Sequence, residues 1–214
     1  MGEFFSLDYV KDVGGQIEGI MHIGAHYAEE ADDYKNHTKK VVWFEAHPAY
    51  ARQMQARLEN FQDQIGFTAL LSDVSAEKVD FWITADEFAS SVLKPAYHQV
   101  QNPHAPITDK ITLETERFDI LWPVLAVAYG LDLADYNMLV LDTQGSELKV
   151  LRGMGDFVSN FSIIQAEYST VEFYEDGPRL QDIDSYLEGF NFSRVFPTSR
   201  NELIHGDALY VKGR

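Results

Sequence analysis

Residues 17–48 constrain the fold more than any other part of the sequence. They contain two short apolar runs, 20–23 and 41–44, separated by a glycine and a polar segment long enough to form a helix. The second run ends on Glu45, 23 residues after His22. In βαβ nucleotide-binding units, an acidic residue about 20 positions beyond the glycine turn binds the ribose hydroxyls. The stretch therefore predicts a strand–helix–strand unit whose ligand contains a ribose.

The rest of the chain continues the alternation of strands and helices. The apolar runs 138–141 and 162–166 are typical of strands that are buried on both faces of a parallel sheet. We also expect strands at 66–71, 79–84, 110–115, 192–196 and 208–211, and helices at 1–16, 49–61, 118–129, 179–187 and 146–151, the last closed by Gly153. This pattern predicts a single α/β domain over residues 1–214, built on a mainly parallel sheet.

Composition excludes several classes of function. The chain has 34 acidic and 17 basic residues, a net charge of −17, and no cluster of Lys and Arg, so we expect no nucleic acid or anionic membrane as a direct partner. With no cysteine, disulfides, thiolate metal sites and cysteine nucleophiles are excluded. The sequence shows neither a signal peptide nor an apolar run of membrane-spanning length, which predicts a cytoplasmic protein.

The glycine turn after the first apolar run lacks the features that bind phosphate. Positions 24, 26 and 28 are Gly, His and Ala, whereas a dinucleotide site uses three glycines to approach a pyrophosphate. A P-loop is also excluded, because no glycine is followed by Lys and Ser or Thr. An adenosine ligand without phosphates fits this turn, and S-adenosylmethionine is such a ligand.

Four predicted strands end on, or just before, an acidic residue. These residues are Glu45, Asp73, Asp142 and Glu167. Ligands of parallel α/β sheets bind beyond the carboxyl ends of the strands. We therefore expect the four carboxylates to meet at one edge of the sheet.

Six segments together resemble the FkbM family of S-adenosylmethionine-dependent methyltransferases. They are HIGAH at 22–26, WFEAHP at 43–48, LLSD at 70–73, SSVL at 90–93, LDTQGSELKVLRG at 141–153 and GDALYVK at 206–212. The resemblance implies a Rossmann-like methyltransferase sandwich of seven strands with the last strand antiparallel. It also implies O-methylation, commonly of sugar or polyketide hydroxyls. His22 and Ala28 depart from it, since the family usually has Asp and Gly there.

We expect the cofactor to be bound by residues of the glycine turn and by residues at the ends of the strands at 19–23, 40–45, 66–71 and 138–141. Glu45 would take the ribose, and Asp73 with Ser72 would meet the adenine amino group. The predicted cofactor-binding residues are His22, Gly24, Ala25, His26, Glu45, Ala46, Ser72, Asp73 and Asp142.

The predicted catalytic residues are Asp142, Glu167, Gln144 and His98. Either carboxylate or a loop histidine would accept the proton of the substrate, and His98 lies in residues 94–109, a polar loop or insertion that we interpret as a possible lid. Gln144 would orient Asp142 or bind substrate. Asp142 and Glu167 are also candidates for holding a divalent cation, and oxygen ligands of this kind favour magnesium.

The leading hypothesis is a methyltransferase that modifies a hydroxyl of a small molecule or glycan. Alignment of the acceptor with the reactive sulfonium is then the main task of the protein. The alternative is a binding protein that keeps the fold but has lost catalysis. The sequence makes no prediction of the oligomeric state.

Overall fold

The computed structural model describes residues 5–38, 40–97, 103–196 and 204–213. Within these ranges a large twisted sheet carries helices on both faces, and a smaller sheet lies beside it. The strands are β1 Gly19–Ile23, β2 Lys40–Glu45, β3 Gln64–Thr68, β4 Leu70–Leu71, β5 Lys78–Thr84, β6 Ile107–Glu116, β7 Met138–Leu141, β8 Ile163–Ser169, β9 Phe192–Phe196 and β10 His205–Lys212. The helices are α1 Leu7–Gly14, α2 Ala31–His37, α3 Pro48–Leu58, α4 Phe118–Tyr129, α5 Glu147–Met154 and α6 Leu180–Glu188, with 3₁₀ turns at Glu87–Ala89, Leu133–Asp135 and Gly155–Asn160.

The large sheet has seven strands in the order β3-β2-β1-β7-β8-β10-β9. All neighbours are parallel except β10, which pairs antiparallel with both β8 and β9. This confirms the predicted Rossmann-like fold with an antiparallel last strand. β1 and β7 lie side by side at the centre, and every residue of both strands is buried, as their unbroken apolar runs require.

Each face of the large sheet is covered by its own hydrophobic core. One core packs α1, α2 and α3 against residues such as Ile20 and Val140, and the other packs α4, α5 and α6 against residues such as Leu139 and Ile164. Helix α4, the longest in the described part of the chain, has twelve residues, and no helix there is long and apolar enough to cross a membrane.

The predicted strand at 66–71 is wrong in one respect, because it is two strands in two sheets. β3 stays in the large sheet, but the chain turns at Ala69, whose amide donates to the carbonyl of Glu45 at 3.0 Å. β4 then pairs with β6, which also pairs with β5, so the order of the small sheet is β4-β6-β5. A continuous apolar run predicts burial but does not show in which sheet each residue is buried.

Gly153 does not end the helix as predicted; it lies inside α5. A Cβ added at this position would be 1.9 Å from the backbone oxygen of Ser72. The glycine therefore allows α5 to touch the chain just after β4. The glycine that we interpreted as the end of the helix is instead required by the close packing of α5 against the chain after β4.

The loop predicted at 94–109 ends earlier than expected, because β6 already begins at Ile107. At its other end, Lys94 forms an ion pair of 2.9 Å with Glu175, and Pro95 forms a β-bridge with Tyr174. These contacts connect the start of the loop to the segment that follows β8. Residues 98–102 of the loop lie outside the described residues.

Candidate active site

A cavity of about 290 Å³ opens at the carboxyl ends of the central parallel strands. Its lining comes from the turn after β1, the end of β2, β4, the segment 86–92, the turn after β7, the end of β8 and the start of β10. Of the predicted site residues, His22, Gly24, Ala25, His26, Glu45, Ala46, Asp142, Gln144 and Glu167 line this cavity. One position in the fold thus brings most of the sequence candidates together.

The turn after β1 presses against the end of β7. Gly24 has a φ of +89°, and a Cβ there would be 1.8 Å from the backbone oxygen of Asp142. The amides of Gly24 and Ala25 both donate to the carbonyl of Phe44, at 2.9 and 3.0 Å. A glycine is therefore required here, and the tight turn leaves room for a ligand above it.

Glu45 is a buried carboxylate held by the backbone. One oxygen, Oε2, accepts from the amide of His26 at 2.8 Å, and the other, Oε1, accepts from the amide of His47 at 2.6 Å. Burial raises the pKa of Glu45 to about 7. Since each carboxylate oxygen has further lone pairs, the group can still accept two hydroxyls from a diol.

An aromatic group surrounds His26 at the mouth of this part of the cavity. The ring lies 3.7 Å from that of Tyr27, 4.6 Å from Tyr50 and 4.5 Å from Phe88, measured between centroids. Its Nδ1 is 2.7 Å from Oε1 of Glu29. Flat ring surfaces beside the Glu45 carboxylate are suited to a heterocyclic ligand.

His22 lies at the inner end of the cavity and is part of the core packing. Its ring stacks on Trp43 with centroids 5.0 Å apart, and its Nδ1 is 3.2 Å from the hydroxyl of Tyr34. Burial lowers the pKa of His22 to about 3, so the imidazole is neutral at physiological pH. A neutral ring occupies the place of the carboxylate that the family usually has.

Gln144 connects the two carboxylates that the sequence singled out. Its Nε2 donates to Oδ1 of Asp142 at 2.6 Å and to Oε2 of Glu167 at 2.9 Å. The hydroxyl of Tyr174 donates to Oε1 of the same amide at 2.7 Å, which fixes its orientation. The turn that carries Gln144 is held in turn by Ser91, whose hydroxyl donates to the Gln144 carbonyl at 2.6 Å.

Both of these carboxylates are harder to ionise than usual. Burial raises the pKa of Asp142, even though the Gln144 hydrogen bond acts in the opposite direction. Burial and the nearby Asp142 and Asp207 carboxylates hold the pKa of Glu167 well above its ordinary value. A raised pKa makes each carboxylate a stronger base in its ionised form, which suits proton transfer in catalysis.

Two functional candidates of this cavity, His205 and Asp207, were not predicted. His205 Nε2 lies 3.0 Å from Oε1 of Glu167, and its ring stacks on Phe173 at 4.7 Å with an interplanar angle of 5°. Asp207 is the register partner of Glu167 and lines the cavity beside it. Both residues lie at the start of a strand, and β10 runs antiparallel, so its beginning lies at the edge where the parallel strands end. The GDALYVK segment was the available signal.

The side chain of Glu147 accepts hydrogen bonds from the turn that follows β7. Its Oε1 accepts from the amides of Thr143 and Gly145, at 2.9 and 3.1 Å, and from the Thr143 hydroxyl at 3.1 Å. Burial raises its pKa to about 8. The carboxylate thereby stabilises the turn that presents Gln144.

Two of the predicted contacts, those of Ser72 and Asp73, are not made at the cavity. The Ser72 hydroxyl donates to Asp73 at 3.2 Å, on the side where α5 packs. His98 lies outside the described residues, so its predicted catalytic role is neither supported nor opposed. The wall over the cavity is formed by Asp86, Phe88, Ala89, Ser90 and Val92 rather than by the described part of 94–109.

The geometry does not fit the predicted magnesium site. Among the described residues, no three side chains of His, Asp or Glu converge as metal ligands. The Gln144 amide directs its two N–H donors at Asp142 and Glu167, and a donor N–H does not coordinate a cation. The N–H groups of the amide therefore place positive partial charge between the two carboxylates, where a cation would otherwise bind.

The fold and this site define a class of protein, the Rossmann-like methyltransferases. A family model described as "Methyltransferase FkbM domain" matches residues 12–194. The chain therefore belongs to the FkbM methyltransferase family, as its sequence motifs predicted. No curated protein matches the sequence significantly.

Solved structures share the fold at low sequence identity. Methyltransferase FkbM from Methylobacillus flagellatus KT aligns at a TM-score of 0.52 and 12% identity over 90% of this chain and 43% of its own, so this chain spans less than half of that protein. Sp1610 from Streptococcus pneumoniae, a proposed tRNA (m1A22) methyltransferase solved with S-adenosyl-L-methionine, aligns at 0.52 and 9% identity over 97% of this chain and 72% of its own. A protein in the NADB-Rossmann superfamily from Streptococcus agalactiae aligns at 0.51 and 8% identity over 100% and 70% of the two chains.

Proposed function

We propose that the protein transfers a methyl group from S-adenosylmethionine to a hydroxyl of an uncharged small molecule or glycan. The observation that carries this proposal is the arrangement of carboxylates along one edge of the sheet. Glu45 lies beside a glycine turn without phosphate-binding features, and the Asp142–Gln144–Glu167 group follows two and three strands further along. A ribose site and a proton-accepting site thus share one cavity.

The cofactor would lie along the edge from β2 towards β7. Its ribose hydroxyls would bind Glu45, and the cofactor would lie against the turn formed by Gly24, Ala25 and His26. The adenine would pack against the apolar lining at Ala69, Leu70, Leu71 and Phe81. Because Ser72 and Asp73 do not line the cavity, we assign the adenine contact to this lining instead. The sulfonium, which is cationic, would then face the carboxylate of Asp142.

The charges of the cavity support an uncharged acceptor. Seven acidic side chains line it, namely Glu29, Glu30, Glu45, Asp86, Asp142, Glu167 and Asp207, and the described lining contains no Lys or Arg. A phosphate or carboxylate on the acceptor would meet repulsion without a counter-charge. The net charge of −17 acts against a nucleic acid in the same way. Hydroxyl-rich neutral molecules are the class that remains favourable.

The reaction would be an in-line displacement at the methyl carbon. The acceptor oxygen forms its bond to the methyl group while the carbon–sulfur bond breaks and the electron pair returns to sulfur. The hydroxyl proton passes to a carboxylate of the Asp142–Gln144–Glu167 group. Alignment and exclusion of water supply most of the acceleration. Because the Gln144 amide donates a hydrogen bond to each carboxylate, no divalent cation is required between them. We therefore expect EDTA to leave the rate unchanged.

The test is a binding measurement followed by an acceptor panel. Isothermal titration calorimetry should show binding of S-adenosylmethionine and S-adenosylhomocysteine. Transfer of a labelled methyl group should then be measured to neutral glycosides such as methyl glucoside, with glucose 6-phosphate and transfer RNA as charged comparisons. Absence of cofactor binding would refute the proposal, and preferential methylation of the charged acceptors would refute its substrate class.

A binding protein without catalysis is the second candidate. Its specific support is Ala28, which occupies the place of a family glycine with a φ of +55° and no exposed surface, together with the neutral His22. In an enzyme, Glu167→Gln should sharply lower methyl transfer while cofactor binding and folding persist. Cofactor binding without transfer to any acceptor in the wild-type protein would favour the binding protein.

A further inference from the structure

The turn after β7 holds Gln144 in a backbone conformation that residues other than glycine rarely adopt. Its φ is +53°, and that of the following Gly145 is +96°. The hydroxyl of Ser91 donates to the Gln144 carbonyl at 2.6 Å, and the carboxylate of Glu147 accepts from the Gly145 amide at 3.1 Å. Backbone strain of this kind persists only where surrounding contacts hold it, and it is concentrated at functional sites. The conformation therefore serves to place the Gln144 side chain.

The two carboxylates decide which end of the Gln144 amide faces them. Ionised carboxylates only accept hydrogen bonds, so the NH₂ group must point to Asp142 and Glu167, and Nε2 lies 2.6 and 2.9 Å from their oxygens. Oε1 consequently points away from the carboxylates, towards the hydroxyl of Tyr174, which donates to it at 2.7 Å. If the amide turned by 180°, its carbonyl oxygen would face the carboxylates. One of them would then have to keep a proton in order to donate to it.

The fold places Tyr174 behind this turn as a permanent donor. Its side chain is buried, and a Cβ on Gly145 would be 2.7 Å from the ring, so the glycine admits the tyrosine. On the other side, the backbone of Tyr174 forms a β-bridge with Pro95. Burial, together with Glu167 and other nearby carboxylates, raises the pKa of Tyr174 well above its ordinary value, so the hydroxyl stays protonated. Tyr174 does not line the large cavity.

We propose that Tyr174 is a positioning residue for methyl transfer, whose hydroxyl keeps the NH₂ group of Gln144 directed at Asp142 and Glu167. With the amide in this orientation, neither carboxylate has to retain a proton for it. One of the two can then accept the proton of the acceptor hydroxyl while the methyl group is transferred. This inference rests on the proposed function and adds to it a residue outside the cavity. Tyr174 touches neither the acceptor nor the cofactor and acts through Gln144.

Other titratable groups face this arrangement from several elements, and a substitution at Tyr174 leaves all of them in place. Burial raises the pKa of Asp142 and of Glu167, whereas the hydrogen bonds from Gln144 lower both. Loss of the group that orients the amide should therefore raise the pH at which the two carboxyls ionise. The surrounding groups are Glu147 from α5, His205 and Asp207 from β10, His26 from the turn after β1, Glu30 before α2, and Asp86, which faces Tyr174.

The experiment is a titration of the two carboxyls by ¹³C NMR in the ligand-free protein. Their signals are assigned by their loss in Asp142→Asn and Glu167→Gln, and the apparent pKa values belong to the interacting pair. In Tyr174→Phe we expect the upper of the two values to rise by about one unit, because the hydrogen bond that orients the amide has been lost. Tyr168→Phe is the matched control and should leave both values unchanged. Tyr168 is also buried, and its hydroxyl has no hydrogen-bond partner in the part of the chain that the structure describes.

A double-mutant cycle tests whether Tyr174 acts through Gln144. Gln144→Met removes the amide, so adding Tyr174→Phe to this variant should cause no further change of the pair's pKa values. An unchanged pair in Tyr174→Phe, an equal change in Tyr168→Phe, or a change that persists in the Gln144→Met background would overturn the inference. If Tyr174→Phe does not fold, Tyr174→Met replaces it, since methionine also lacks the hydroxyl and adapts to irregular spaces.

Methyl transfer gives a second readout on the same variants. With a neutral glycoside that is methylated, the acid limb of the kcat profile should move to higher pH by about one unit in Tyr174→Phe, with KM unchanged. A kcat that falls equally at every pH would indicate a merely structural role and would contradict the inference. S-adenosylhomocysteine binding is measured by calorimetry on the wild type. Its absence contradicts the proposed function, whereas the ligand-free titration tests Tyr174 independently of it.

Discussion

Glu45 illustrates how a single side chain can be prepared for its ligand by the backbone. The amides of His26 and His47 reach it from the two turns that flank the proposed cofactor position, so the carboxylate and the turns fix each other. The two donors stabilise the ionised form, while burial favours the neutral one and prevails in the ligand-free protein. A diol that donates two further hydrogen bonds would shift this balance towards the ionised form.

We expect Glu45→Gln to weaken S-adenosylmethionine binding by roughly ten- to a hundredfold, which corresponds to the loss of a charged hydrogen bond worth about 1.5–3 kcal/mol. The amide of glutamine would also place its NH₂ against one of the two backbone donors. Calorimetric titration measures the change directly. Glu59→Gln, at an exposed residue at the end of α3, serves as the control. Equal affinities of Glu45→Gln and wild type would mean that Glu45 does not hold the ribose.

The contact between α5 and the small sheet shows what an element contributes beyond its own residues. Helix α5 follows directly after the Gln144 turn, and Gly153 in its last turn touches the carbonyl of Ser72 after β4. Leu70 and Leu71 of β4 line the cavity. The glycine thus fixes the distance between the proposed catalytic turn and the proposed adenine wall.

Gly153→Ala should lower the free energy of unfolding by about 2–3 kcal/mol, since the methyl group cannot be placed without moving the helix or β4. Urea denaturation followed by circular dichroism measures this loss. Arg152→Ala, at the exposed neighbouring position of the same helix, should change stability by no more than about 0.5 kcal/mol. If both variants are equally stable, α5 and β4 are not in close contact.

Strands were predicted well where burial alone decides them, as for β1 and β7. The prediction failed where a residue's role depends on a contact distant in sequence. Ala69 separates two strands because of a hydrogen bond to Glu45, and Gly153 interrupts no helix because it faces Ser72. The same reason explains the site: Glu45, Asp142, Gln144 and Glu167 follow from parallel strand ends, whereas His205 depends on the antiparallel insertion of β10.

At the scale of the whole molecule, buried carboxyls in and beside the cavity resist ionisation. Burial raises the pKa of Glu45 to about 7 and that of Glu147 to about 8. Both values are above the ordinary 4.5, so the stability that the neutral forms contribute is present at low pH and is lost as the pH rises through 7 and 8. His22 acts in the opposite direction, but only below its ordinary pKa of 6.5.

We therefore expect the free energy of unfolding to fall by on the order of 2 kcal/mol between pH 6.5 and 8.5. Urea titrations at several pH values with constant ionic strength measure it. Glu147→Gln removes the group with the higher of the two pKa values, and its carbonyl can still accept from the turn, so this variant should lose less stability over the same interval. A wild-type protein that becomes more stable from pH 6.5 to 8.5 would contradict the assignment.

The position of β10 has a consequence for the order in which the protein assembles. The strand lies between β8 and β9, so an interior position of the sheet is filled by the segment that comes after all the other strands in sequence. Until it inserts, β8 and β9 each expose an unpaired edge, and pairing across such sequence separations is slow. Pairing of β1, β2 and β7 alone would already bring together Glu45 and the glycine turn, the residues proposed to hold the cofactor. His205 and Asp207 join only when β10 inserts, so the proposed cofactor side of the cavity would form before the proposed acceptor side.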